Sequence, residues 1–145
     1  MSEANRRHYP AQPIVGIGVV VWCRGRVLLI RRGKPPRAGQ WSLPGGAQQL
    51  GETVEEAARR EVREETGVTL ERCELLTVVD LIDRDPSGAV RYHYTLVDFR
   101  AETDDVTLTA GDDAEEARWF DPDQLDRLEL WSETLRIIAL SRRAG

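Results

Sequence analysis

The segment GGAQQLGETVEEAARREVREETGV, residues 45–68, constrains this chain more than any other stretch. Thr53 and Glu56 have the spacing of a capping box, Ala57 and Ala58 favour helix, and Gly67 stands where a helix would stop, so a helix is expected over 53–66. On such a helix Glu61, Glu64 and Glu65 fall within an arc of about 100°. They border an apolar stripe of Val54, Ala58 and Val62, so the acidic side faces the body of the protein or its margin. Like charges placed in this way repel one another, and partial burial adds to the cost unless cations neutralise them or their pKa values rise. The competing reading is a solvated helix, because Glu55 with Arg59 and Glu56 with Arg60 have the i to i+4 spacing of ordinary surface pairs.

Oxygen-preferring divalent cations resolve the repulsion. Mg²⁺ in particular takes a few carboxylates and completes its shell with waters and substrate phosphates, so an open acidic site implies a phosphate substrate. Gly45 and Gly46, read here as a loop, allow close backbone approach and offer a carbonyl as a further ligand. Arg60, next to Glu61, is placed to orient the carboxylates through charge-assisted hydrogen bonds. The alternating Asp/Asn ligands of an EF-hand loop are absent.

The rest of the chain reads as one α/β domain. Its 145 residues, 41% hydrophobic and 31% charged, suit a single core that needs neither disulfides nor a structural metal. Residues 1–12 read as a flexible polar arm and 13–145 as the domain. A net charge of -5 argues against non-specific contact with nucleic acid or anionic membrane. Cys23 and Cys73 fit no metal-ligand spacing and read as reduced thiols, and the longest apolar run, Ile14 to Cys23, is too short to span a bilayer. A cytoplasmic protein is expected. Strands are expected at 14–22, 26–31, 68–83, 89–99 and 117–120, with a hairpin turn at Arg24-Gly25 and another turn over Asp85 to Gly88. Asp121-Pro122 reads as a helix start, and a last helix over 132–140 would turn Leu135, Ile138 and Ala139 inward.

The 45–68 segment resembles the Nudix box. Gly46, Glu52, Arg60, Glu61, Val62, Glu64, Glu65, Gly67 and Val68 occupy its specified positions, and the flanking WSLPGG and Ala117-Arg118-Trp119-Phe120 are also similar to the family. The resemblance implies an α/β/α sandwich with a mixed sheet, and a Mg²⁺- or Mn²⁺-dependent hydrolase of nucleoside diphosphates linked to another group. By that resemblance Glu64 and Glu65 are metal ligands with the Gly45 carbonyl, Glu61 is a further ligand or the general base, and Arg60, Gly46, Glu52 and Gly67 hold the box in shape. A further acid is expected among Asp112, Asp113, Glu115 and Glu116, with Glu116 favoured.

The stretches LLIRRGKPPRAGQWSLPGG and RYHYTLVDF look like the small bacterial ADP-ribose pyrophosphatase group, which implies cleavage of ADP-ribose to AMP and ribose 5-phosphate and makes a homodimer plausible. Arg31, Arg32, Lys34 and Arg37 would supply positive charge near the site, and Tyr92 and Tyr94 would stack on a base. Solvated loop charges and core tyrosines are the plainer readings of these residues. Two alternatives are a nucleoside triphosphate pyrophosphohydrolase clearing oxidised or non-canonical nucleotides, with Trp22 or Phe99 lining a base pocket, and a non-catalytic sensor of nucleotide metabolites.

Overall fold

The computed structural model describes residues 7–33, 38–111 and 114–142. The strands are β1 (Ile14–Cys23), β2 (Arg26–Arg32), β3 (Trp41–Ser42), β4 (Gly45–Ala47), β5 (Glu74–Arg84), β6 (Val90–Glu102) and β7 (Ala114–Phe120). The helices are α1 (Val54–Thr66), a 3₁₀ helix (Pro122–Arg127) and α2 (Ser132–Ser141).

The apolar run of β1 lacks alternation because both of its faces are buried, as a strand between two helical layers requires. Ile17, Val19 and Val21 pack with Ala57, Ala58 and Val62 of α1, while Val20 and Trp22 pack on the other face with Leu125, Ile137 and Ile138. The result is a three-layer sandwich around a mixed sheet in which β1 and β6 run parallel and the other pairings are antiparallel.

β1 and β2 leave the turn at Arg24 and Gly25, both at positive φ, and pair only through Trp22–Val27 and Cys23–Arg26 before they part. Into the gap comes β4, whose Gly45, Gly46 and Ala47 pair with Gly18, Ile17 and Gly16. The segment expected as a loop is therefore a short strand. Its pairing depends on glycine, since a Cβ on Gly45 would sit 1.9 Å from the Ile17 carbonyl oxygen.

Other expectations shift at their edges. β5 begins at Glu74 rather than at residue 68; Val68 and Leu70 are buried, but as connecting chain beneath α1. β7 starts at Ala114, earlier than expected. The inward side of α2 is Ile137, Ile138 and Ser141, whereas Leu135 and Ala139 are exposed. A buried serine breaks the apolar stripe. Its Oγ accepts from Trp22 Nε1 at 2.8 Å and donates to the Ile138 carbonyl at 2.6 Å. Trp22 and Phe99, considered above as base-pocket residues, are core side chains of the two faces.

Residues 1–6 of the expected arm lie outside the described residues, as do Lys34, Arg37, Asp112 and Asp113. Tyr9 lies against the β5–β6 hairpin, its amide donating to the Arg91 carbonyl at 2.8 Å and its hydroxyl to Asp85 at 2.6 Å.

The buried Trp22–Ser141 bond ties α2 to the sheet. Ser141→Ala leaves the indole N–H without its acceptor and should lower stability by about 1–3 kcal/mol in chemical denaturation. A change under about 0.5 kcal/mol would show that the bond does not hold this face together.

Candidate active site

Helix α1 forms where expected because its ends are capped from within the segment. Thr53 Oγ1 accepts from the Glu56 amide at 3.0 Å, the Thr53 amide donates to Glu56 at 2.8 Å, and Gly67 closes the helix in the left-handed conformation at φ 80°. Burial of Ala57, Ala58 and Val62 fixes the rotation of the helix and turns Arg60 and the carboxylates toward β4.

Arg60 is the hub. Its Nε and Nη2 donate to the two oxygens of Glu52 at 2.9 and 2.7 Å, and Nη2 also donates to the Ala47 carbonyl at 3.1 Å. Nη1 donates to Glu61 at 2.8 Å and to Glu64 at 3.1 Å. One planar cation thus joins β4, the 48–52 loop and two carboxylates of the helix. The paired Glu52 carboxylate, chiefly, and then Glu61 hold the guanidinium more firmly protonated than usual. In return Arg60 holds the Glu52 carboxyl below its ordinary 4.5, with further help from the Gln49 amide.

Glu65 is turned the other way, is buried, and accepts from the Gly45 amide at 2.7 Å. A Cβ on Gly46 would lie 2.6 Å from the Glu61 carboxyl group. Gly45 thus supplies a donor and Gly46 supplies space, and Glu61, Glu64 and Glu65 are all seated against the Arg60–β4 unit. Every candidate donor here is a carboxylate or carbonyl oxygen, which suits a hard divalent cation. Among the described residues no group of three or more Asp, Glu, His or Cys side chains is gathered as a ready metal nest.

The chain at 109–111 packs on the C-terminal end of α1, with the Thr109 amide donating to Thr66 at 2.9 Å and that of Gly111 to Glu65 at 3.3 Å. This anchors the chain at 109–111 beside Glu65 and Thr66. Glu116 pairs with Arg31 at 3.2 Å across the β2–β7 ladder and also with Arg118, and Glu115 pairs with Arg31 at 3.5 Å. Arg31 is therefore held by carboxylates. Arg32 is fixed through its backbone, to Gln40 and Gly39. Tyr92 stands against His8, with ring centroids 5.4 Å apart, and Tyr94 pairs with Leu81 and Ile14, so the two tyrosines flank the hairpin. They do not line the small pocket on their own face of β6, which Leu96 and Asp98 do line.

Asp98 was missed from the sequence. It is 7% exposed, and burial pushes its carboxyl up to about 6. The available signal was an acid inside the apolar run Leu96-Val97-Asp98-Phe99.

A sheet clasped by two helices, with an arginine-bound acidic helix against a diglycine strand, defines a domain that gathers carboxylates on one face of its sheet. The NUDIX domain model matches residues 12–140, and the chain belongs to that family. It is 40% identical over 116 residues to an ADP-ribose pyrophosphatase of Methanocaldococcus jannaschii, a match spanning 80% of this chain and 66% of that protein, just under two thirds of its length. It is 32% identical to an oxidized purine nucleoside triphosphate hydrolase of Danio rerio, over 81% of this chain and 72% of that one. A solved MutT NUDIX hydrolase from Burkholderia pseudomallei superposes with TM-score 0.76 at 36% identity, covering 90% of this chain and 99% of the other.

The Glu52–Arg60 pair makes stability depend on pH in a defined direction. A carboxyl held below its ordinary value contributes stability that is present above about pH 4.5 and is lost as pH falls through the lower folded-state value. In urea titrations the stability gap between wild type and Glu52→Gln should stay constant above about pH 5.5 and narrow below about pH 4.5. A gap unchanged down to about pH 3 would contradict the pairing.

Proposed function

We propose that the chain is a divalent-metal-dependent pyrophosphohydrolase acting on a nucleoside diphosphate derivative, with ADP-ribose as substrate and AMP and ribose 5-phosphate as products. The observation that carries this reading is the Arg60-centred cluster. Glu61 and Glu64 share one guanidinium, and Glu65 is fixed by the Gly45 amide of the adjoining strand.

Three carboxylates beside a single organising cation leave an excess of negative charge, and Mg²⁺ or Mn²⁺ fits the all-oxygen donor set. Glu64 and Glu65, with the Gly45 carbonyl, would hold the metal, and Glu61 would be a further ligand or the base. Bound there, the metal would draw charge from the phosphate oxygens and lower the pKa of a coordinated water. In the reaction a water oxygen bonds to one phosphorus, the bridging P–O bond breaks, and the bridging oxygen leaves with the other phosphoryl group.

The residues of this chain supply position. Arg60 aligns Glu61 and Glu64 through charge-assisted bonds and is itself fixed by Glu52 and the Ala47 carbonyl. Gly46 leaves the space that Glu61 occupies. Glu116 is a candidate to accept the proton of the attacking water, and Arg31, its partner on the β2–β7 ladder, is a candidate contact for substrate phosphate. Arg32, Tyr92 and Tyr94 are retained as candidate substrate contacts at the periphery. Free Cys23 and Cys73 accord with a reducing, cytoplasmic setting.

The likeness to an ADP-ribose pyrophosphatase supports this substrate. A second reading, removal of pyrophosphate from an oxidised purine nucleoside triphosphate, is favoured by the Danio rerio relative.

Incubation with Mg²⁺ and ADP-ribose should release AMP, measured by chromatography, and chelation should stop the release. Pyrophosphate from a nucleoside triphosphate, with ADP-ribose untouched, would move the assignment to the second reading. Glu64→Gln should lower the rate by orders of magnitude with an unchanged circular dichroism spectrum, because it removes a metal-facing charge from a half-exposed position rather than a core contact. Near-normal turnover in that variant would take Glu64 out of the site.

A further inference from the structure

The sheet ends at β5, which pairs with β6 on one side and, among the described residues, with no strand on the other. Leu75, Val78 and Ile82 lie opposite Phe99, Val97 and His93 of β6, so they prolong the face of the sheet that α1 covers further in. Beyond the helix that face is bare, and the three side chains are 59%, 52% and 48% exposed. Single exposed apolar residues are ordinary, but a stripe of them along an open edge is a template for another strand.

The backbone of this edge is set for pairing. The Asp85 amide turns inward and donates to the Ala89 carbonyl at 2.9 Å. Residues of an antiparallel strand alternate between inward and outward hydrogen bonding, so Asp80, Ile82 and Arg84 offer their N–H and C=O groups to the open side. Their side chains specify what can lie there. Asp80 is exposed and, among the described residues, has neither an ion pair nor a hydrogen bond to its carboxylate. Arg84 is exposed as well, and its guanidinium donates to the Gly88 carbonyl of its own turn at 3.0 Å rather than to a carboxylate.

A strand that suits this edge presents a cation opposite Asp80 and an anion opposite Arg84. β5 itself does so when it is turned antiparallel. A pairing that sets Val78 opposite Ile82 would bring the two copies of Asp80 together and is repelled, whereas an axis through Ile82 places each Asp80 opposite Arg84 of the partner subunit. Asp83, on the other face of the strand, is already paired with Arg91 at 2.7 Å. Pro86 has no N–H to donate and closes the ladder.

We propose that two copies of this chain associate through their β5 edges, antiparallel about a two-fold axis at Ile82, so that Asp80 of each pairs with Arg84 of the other. The interface is isologous: the two copies of Ile82 meet on the axis, Val78 flanks them on either side, and the sheet runs on from one subunit into the next. β5 carries no residue of the Arg60 cluster, so this interface and the proposed reaction stand or fall separately.

The test is sedimentation velocity on the full chain across micromolar concentrations, where wild type should move as a dimer. Asp80→Arg and Arg84→Asp each turn two attractive cross-strand pairs into two repulsive ones and should weaken association about tenfold or more, and the variant carrying both changes should regain it. Ile82→Cys should form a disulfide-linked dimer under mild oxidation, because residues opposite each other in a hydrogen-bonded pair have Cα atoms about 5.5 Å apart. Leu75→Cys, exposed on the same face but far from the axis, should not. These positions are all exposed, and circular dichroism checks that the variants keep the fold. A wild type that stays monomeric, single reversals that leave the dimer intact, a folded double variant that remains dissociated, or a cross-link at position 75 in place of 82 would each overturn the proposal.

Discussion

The structure turns on the guanidinium of Arg60. Glu52, Glu61 and Glu64 would repel one another if packed against the same strand without a cation, and Arg60 donates a hydrogen bond to each of them. Arg60 and Glu52 are largely buried, at 14% and 15% side-chain exposure, so the fork–fork pair is shielded from the solvent that weakens surface ion pairs. The same nitrogen that bonds Glu52 also bonds the Ala47 carbonyl, so the charge network and the register of β4 are one object. Lysine could not replace it, because a point charge cannot meet these separated acceptors with a single rigid plane.

The diglycine strand is the complementary constraint. Gly45 and Gly46 face opposite sides of the sheet. A side chain on Gly45 would strike the Ile17 carbonyl and one on Gly46 would strike Glu61. The strand is thin enough to lie in the gap where β1 and β2 separate. The acidic helix, the strand it leans on and the pocket beyond that strand are consequences of one fork in the sheet.

What could be read from the sequence was local. The capping residues of α1, its apolar stripe and the clustering of Glu61, Glu64 and Glu65 depend on contacts within a few turns, and all are present in the fold. The three-layer architecture also followed from an unbroken apolar β1 and from the family resemblance. Misreadings fell where a distant partner decides. β4 is two glycines and an alanine, and it becomes a strand through pairing with Gly16–Gly18. The inner face of α2 includes Ser141, a polar residue buried for the sake of Trp22 on another element. Trp22 and Phe99 were base-pocket candidates of the triphosphate reading, and both are core side chains on the two faces of the sheet. Glu116 and Arg31 were read as separate candidates, and the β2–β7 register makes them partners.

The acidic cluster and the small pocket on the other face of the sheet are assembled in different ways. The acidic cluster and its organiser need helical spacing, so they sit in one contiguous stretch. The pocket around Asp98 is assembled from Leu43, β5, β6, Trp131 and α2, and its residues lie outside the charge network of Arg60. A change at Leu43 or Asp98 removes no hydrogen bond to Glu61 or Glu64, both of which are held by Arg60. The arrangement of the acidic cluster and the shape of this pocket are therefore set by separate residues of the fold.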